Sequence, residues 1–158
     1  MIRLFQTTTA VGNDANTDEK TLHQYTLPAG KLATNGDAVR IRTWIQHAAN
    51  ANNKTTLVYF GASTVCVPTG QTYNNVAFVI DAWVFRVNGT TQLGLGSGLQ
   101  PNIDAAWSTA AGGGLTLSAP AETLSGTVLI KITGQSSVAG TADDVKALAT
   151  VIDYLPAA

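Results

Sequence analysis

The chain is poor in the residues that usually carry chemistry. It has one cysteine and two histidines in 158 residues. A lone cysteine excludes an intrachain disulfide and a thiolate metal cage. Cys66 lies in the short apolar run Val65-Cys66-Val67 before Pro68, and it reads as a small packed hydrophobe, because reactive thiols need an electropositive setting. His23 and His47 lack the His/Asp/Glu spacing of a metal site. His47 has the same strand parity as Val39 and Ile41, so a packing role at a strand end is expected. The reading is of a protein with no catalytic residue, no metal and no cofactor.

Charge is also scarce. Charged residues make up 12% of the chain, against about 25% in ordinary domains. No Lys/Arg cluster occurs and the net charge is −1, so nothing draws nucleic acid or an anionic membrane to it. No stretch approaches the roughly 20 apolar residues of a membrane span, and the apolar run in MIRLFQTTTA is too short for a signal peptide. Synthesis in the cytosol is expected, with neither nucleic acid nor membrane as partner. A G-x-S-x-G elbow is absent. Gly94-Leu95-Gly96-Ser97-Gly98 resembles a phosphate loop only in its glycines, lacking the G-K-[ST] ending and a following helix. Asn53-Lys54-Thr55 and Asn88-Gly89-Thr90 match glycosylation acceptors but are expected to be turns.

Strand signals fill the remainder. From Tyr25 to Phe60 the chain reads strand, turn, long strand, turn, strand. Leu27-Pro28-Ala29-Gly30 stops the first run. Val39, Ile41, Thr43 and Ile45 then alternate with Arg40, Arg42, Trp44 and Gln46, the period of a strand with two different faces. Asn50-Ala51-Asn52-Asn53 is expected to close a hairpin onto TTLVYF. Further strands are expected near Ile2–Gln6, Thr21–Leu27, Gly61–Val67, Val76–Asn88, Thr90–Leu95, Gly126–Thr133 and Val145–Leu155. Gly94–Pro120, loaded with Gly and Ala, reads as an extended loop with short β pieces at 115–117. The expected fold is all-β: an antiparallel, jelly-roll-like β-sandwich of about eight to ten strands, one domain over 1–158. Residues 1–20 form a strand plus a loop, or an attachment arm.

Two strands are apolar on both faces, Val76–Val87 and Val145–Leu155, whereas a lone sandwich needs only one. The second face is covered either by the Gly/Ala-rich loop of the same chain or by identical subunits around a symmetry axis; the latter is the expectation, with Ile2, Leu4, Phe5, Trp83, Phe85, Ile152 and Tyr154 at the interface. Asp81 and Asp153 sit mid-strand among apolar residues and need cations. Arg40, Arg42, Arg86 and Lys131 are the available partners, so structural ion pairs are expected among Arg40, Arg42, Asp81, Arg86 and Asp153. An enzyme would instead need Asp81, Asp104 or Asp153 in an open cleft. Trp107, in the Gly/Ala-rich segment, is the best candidate for an exposed aromatic that could stack on a glycan.

The phrases YTLPAGKLATNGDAVRIRTW, NANNKTTLVYFG, AWVFRVNGTTQ and GTVLIKITGQ…VIDYLP resemble tailed-bacteriophage virion proteins, small jelly-roll proteins that serve as head decoration (cement) proteins or as tail and fibre components. The resemblance covers most of the chain and is weakest over Gly94–Pro120. It implies a non-enzymatic structural protein located in the virion, commonly a homotrimer, that binds the major capsid protein and stabilises the head lattice. The alternative it implies is a tail-tip or fibre component that binds a tail protein and a host glycan or receptor.

Overall fold

The alternating apolar pattern is realised as eleven strands and no helix among the described residues. The computed structural model describes residues 1–66, 75–99 and 116–158. The strands are β1 (Ile2–Thr7), β2 (Val11–Gly12), β3 (Lys20–Leu27), β4 (Ala38–His47), β5 (Lys54–Phe60), β6 (Ser63–Cys66), β7 (Val76–Asn88), β8 (Thr91–Leu99), β9 (Thr116–Ser118), β10 (Val128–Ser136) and β11 (Val145–Leu155). They form a seven-stranded sheet in the order β1-β11-β4-β7-β8-β9, with β2 also on β11, and a four-stranded sheet in the order β3-β10-β5-β6. All the pairings are antiparallel. The pairs β1·β11, β3·β10, β4·β7 and β5·β6 nest one inside the next, which is the jelly-roll arrangement; β8 and β9 extend the large sheet beyond β7.

This topology corrects the Tyr25–Phe60 reading. The strands there are as expected, but β3, β4 and β5 lie in alternate sheets, so Asn50–Asn53 is a corner between sheets and not a hairpin turn. Hairpins occur elsewhere: β5 and β6 pair across Gly61-Ala62, and β7 and β8 pair across Asn88-Gly89. Gly94–Leu99, expected as loop, belongs to β8.

Side chains facing inward from both sheets make one core. β4 contributes Val39, Ile41 and Ile45, β7 contributes Phe78, Ile80, Ala82 and Val84, and β10 contributes Val128, Ile130 and Ile132. Cys66 is buried among them. β11 reaches this core with two parities. A bulge between Ala147 and Ala149 inserts one residue, which flips the pleat, so Val145 and Ala147 point inward before it and Thr150 and Ile152 after it. Uninterrupted alternation would have put Ile152 on the face opposite Val145.

The glycines of β8 mark where the sheets approach closest. A Cβ on Gly96 would lie 2.3 Å from the Val65 carbonyl oxygen and 2.6 Å from Cys66 Cβ, and one on Gly94 would meet Ser118 Oγ at 2.1 Å. Glycine stands at 96 because the β6 main chain passes directly beneath it, and at 94 because the Ser118 and Val65 side chains fill the space.

The polar stretch Val11–Lys20 is stitched to the body. Asn13 N–H donates to the Val145 carbonyl (3.0 Å), Gly140 N–H donates to the Ala15 carbonyl (3.0 Å), and Gln135 Nε2 donates to the Thr17 carbonyl (2.7 Å). Asn13 Oδ1 accepts from Val145 N–H at 2.7 Å. Residues 1–20 thus hold the edge strand β1, the short strand β2 and a bonded loop.

Candidate functional site

The outward face of the seven-stranded sheet is where this molecule departs from an ordinary sandwich. Side chains on one face line up across strands, and the register places Arg3, Asp153, Arg40, Trp83, Leu95 and Leu117 in a single row through six strands. The adjacent row toward the end of β7 carries Phe85 opposite Leu93. The adjacent row the other way carries Val151, Arg42, Asp81 and Ser97, and the one beyond it Ala149, Trp44 and Val79. The face therefore has an apolar corner over β7–β9, a charged belt across its middle, and a second apolar area around Trp44.

At the corner, Trp83 and Phe85 stack with centroids 5.8 Å apart and planes 6° apart. Beside them Leu93 is 42% exposed and Leu117 is 68% exposed. Among the described residues nothing covers this corner. Trp83 also carries the Arg40 guanidinium over its ring at 5.0 Å, a cation–π contact that joins the corner to the belt.

In the belt, Asp81 is held by two arginines. Arg40 Nε donates to Oδ1 at 2.9 Å, Arg40 Nη2 donates to Oδ2 at 2.5 Å, and Arg42 Nη2 donates to Oδ2 at 2.8 Å. Burial works to raise the Asp81 pKa, but the two guanidinium groups prevail and hold it below the usual carboxylate value. A carboxylate so bound accepts hydrogen bonds as an anion and is poorly placed to exchange a proton. Asp153 pairs with Arg3 at 2.6 Å, a partner 150 residues away in sequence. Arg86 has no acidic partner among the described residues; it donates to the Leu32 carbonyl (2.6 Å) and to Asn35 Oδ1 (3.1 Å). Lys131 lies over the Tyr59 ring at 4.6 Å.

The residues expected at an interface separate. Trp83 and Phe85 are on the outward face, and Ile2 is 52% exposed at the sheet edge. Ile152 is fully buried in the core, a consequence of the β11 bulge, so it cannot meet a partner. Leu4, Phe5 and Tyr154 pack partly buried against the core, with Phe5 against Tyr25 at 5.6 Å and Tyr154 Oη donating to Asp37 Oδ1 at 3.1 Å. Trp107 and Asp104 lie outside the described residues.

A second polar centre, unforeseen from sequence, sits at the β4–β5 corner. Asp144 accepts from Asn50 Nδ2 (2.6 Å), Asn52 Nδ2 (2.8 Å), Ser136 Oγ (2.6 Å) and Thr141 Oγ1 (2.9 Å). Burial works to raise its pKa, yet the four hydrogen bonds outweigh that and lower it to about 2. The fully buried Lys54 donates from Nζ to the carbonyls of Asn50 (2.8 Å) and Asn52 (3.0 Å). His47 is buried beside it, its ring edge-on to Phe78 at 4.9 Å. Its pKa is lowered to about 3, by burial first and by Lys54 second, with Asp144 opposing. A histidine with a depressed folded pKa binds its proton more readily when unfolded. Stability should accordingly decline as the pH falls from 6.5 toward 3, and His47→Gln should flatten that part of the profile. Urea midpoints measured every half unit between pH 7 and 4 test this.

His23 joins three segments: Nδ1 meets Thr150 Oγ1 at 2.7 Å and Nε2 meets the Thr9 carbonyl at 2.8 Å. Both histidines are thus placed by packing and hydrogen bonding. Among the described residues no group of three or more His, Cys, Asp or Glu could hold a metal ion. No family model matches the chain, and neither the curated proteins nor the solved structures contain a match.

Proposed function

We infer that this is a non-enzymatic structural protein of a tailed-phage virion, a capsid decoration protein that associates as a homotrimer and stabilises the head lattice. The observation that carries this reading is the apolar corner over β7–β9. Stacked Trp83 and Phe85 beside the exposed Leu93 and Leu117 form the kind of contiguous apolar patch that marks an interaction site. Removing it from water at about 25 cal/mol per Å² supplies a few kcal/mol per subunit, repeated at each contact of a closed ring. The belt beside it, where Arg3 pairs with Asp153 and Arg40 and Arg42 share Asp81, suits the polar rim of an interface.

The resemblance of the sequence phrases to virion jelly rolls, the jelly-roll pairing and the low charge support the same reading. The outward loops of the sandwich are then left to contact the capsid. In solution the intact chain should run as a trimer in light scattering, and the double variant L93E/L117E should run as a folded monomer with an unchanged circular dichroism spectrum. A variant that stays trimeric removes this corner from the interface. Immunogold over the whole phage head supports a decoration protein, and gold confined to the tail transfers the reading to a tail or fibre component.

A further inference from the structure

The chain holds two Asn-Gly dipeptides, Asn35-Gly36 and Asn88-Gly89, and the fold treats them differently. Both asparagines are exposed. In such a dipeptide the glycine nitrogen can attack the preceding side-chain amide, because glycine has no Cβ to hinder the approach. We propose that Asn88 is a self-modification site of the folded chain, converting with time to aspartate and isoaspartate, and that the same fold holds Asn35 unreactive.

The step needs only a base and water. Hydroxide or a buffer base takes the proton of the Gly89 N–H, and the nitrogen forms a bond to Asn88 Cγ. The Cγ–Nδ2 bond breaks and Nδ2 leaves as ammonia, which gives a cyclic succinimide. Water then opens the ring. Attack at Cγ gives aspartate, and attack at the main-chain carbonyl gives isoaspartate. Either product carries a carboxylate where an amide stood.

Hydrogen bonding sets the two sites apart. Gly36 N–H donates to the Arg86 carbonyl at 2.9 Å, which shields its proton from base. The turn around it is closed by Asp37 N–H on the Thr34 carbonyl at 3.0 Å, and the Asn35 side chain is tied to Arg86, whose Nε donates to Oδ1 at 3.1 Å. Gly89 N–H, by contrast, donates to no acceptor among the described residues. Asn88 Oδ1 accepts from Thr90 N–H at 2.9 Å and from Thr90 Oγ1 at 3.3 Å. The loop closed by the first of these bonds contains both Cγ and the Gly89 nitrogen, and the two donors face the oxygen on which negative charge gathers during attack. Leu124 N–H, donating to the Gly89 carbonyl at 3.0 Å, pins the tip of the turn and limits the freedom of the reacting atoms. Arg86 polarises the Asn35 amide much as Thr90 polarises that of Asn88, so the difference in rate is made at the two glycine nitrogens.

Asn88 begins the turn of the hairpin that carries Phe85 and Leu93, beside the apolar corner. Conversion puts a charge there, and isoaspartate also lengthens the main chain at a residue that pairs with Thr91. The loss of ammonia is irreversible, so the modification records the age of the folded chain next to the surface that the trimer reading uses. It does not depend on that reading.

The test is peptide mapping by mass spectrometry after the full chain has been held at mildly alkaline pH, folded and in urea. Trypsin places the two sites on separate peptides, residues 32–40 and 87–131, and fragmentation locates the change within each. In the folded chain Asn88 should gain the mass of acid over amide at least about fivefold faster than Asn35, the equivalent of one hydrogen bond kept at Gly36. In urea the two rates should converge. Gly89 is not in the left-handed region, and a Cβ there would meet nothing nearer than Arg86 Nη2 at 4.0 Å outside its chain neighbours. G89A should therefore keep the fold and slow Asn88 several-fold while leaving Asn35 unchanged. Asn35 converting as fast as Asn88 in the folded chain overturns the proposal, as does an Asn88 that converts in urea and not when folded. A rate ratio in urea equal to that of the folded chain, or G89A converting at the wild-type rate, overturns it as well.

Discussion

Gly96→Val should leave the chain unable to fold, and Gly96→Ala should already lower its denaturation midpoint sharply. The obstacle at Gly96 is main chain: the Val65 carbonyl at 2.3 Å and Cys66 Cα at 2.9 Å from any added Cβ. A flexible side chain could swing away, but β6 is held in register by β5, so relief requires the two sheets to part locally. Overpacking ordinarily costs about 1–3 kcal/mol, and a clash with backbone belongs at or above the top of that range. Gly126→Ala is the control, since its new Cβ would meet only the Thr123 carbonyl at an ordinary 3.5 Å, and its midpoint should stay within experimental error of the wild type. A Gly96→Ala protein as stable as that control would show that the sheets are not in contact at β6 and β8.

The next largest loss is expected from Asp144→Ala. Its carboxylate is 1% exposed and accepts from four side chains, so its removal strands Asn50, Asn52, Ser136 and Thr141 together with the neighbouring Lys54 charge. Breaking one side of a buried charged arrangement costs about 3–5 kcal/mol. Lys54→Met should cost less, because the carboxylate keeps all four of those bonds. Acid supplies an independent readout. The Asp144 pKa falls from the ordinary 3.8 to about 2 on folding, so its stabilisation is complete above 3.8 and disappears as the pH drops through 2. Asp144→Asn should lack that segment of the acid-unfolding curve. An Asp144→Asn curve that overlays the wild type below pH 4 would remove Asp144 from the acid response.

Both predictions rest on positions that the sequence left undecided, for physical reasons. Alternation along β4 and β7 was legible because each strand has one face in the core and one outside, and residue classes follow the pleat. Which sheet a strand joins was not legible: Asn50–Asn53 has the composition of a hairpin turn, but its side chains bond to Asp144, more than ninety residues on. The partner of Asp153 was hidden for the same reason, since Arg3 enters at the opposite end of the chain. The β11 bulge defeated a reading of faces by parity and put Ile152 on the wrong side. Gly94 and Gly96 looked like loop residues, because a glycine selected for lack of volume cannot be told locally from one selected for turning. Arg40, Arg42 and Asp81 were recognisable as charges in need of one another. The side-chain rows across the large sheet were not, since β1, β11 and β4 become neighbours only in the folded sheet.

The nested pairing also governs when this protein can come into existence. β11 is the strand on which β1, β2 and β4 all lay their hydrogen bonds, and it follows all three in the chain. Until Leu155 has left the ribosome, β1 has no neighbour and one long edge of β4 stays open. The pairings of β11 with β1, β2 and β4 join segments far apart in sequence, and such distant closures are slow. A nascent chain therefore waits with an unpaired strand edge, the state most prone to adhere to other copies. Completion of the sheet must follow synthesis of β11, and any assembly that uses its outward face must follow that in turn.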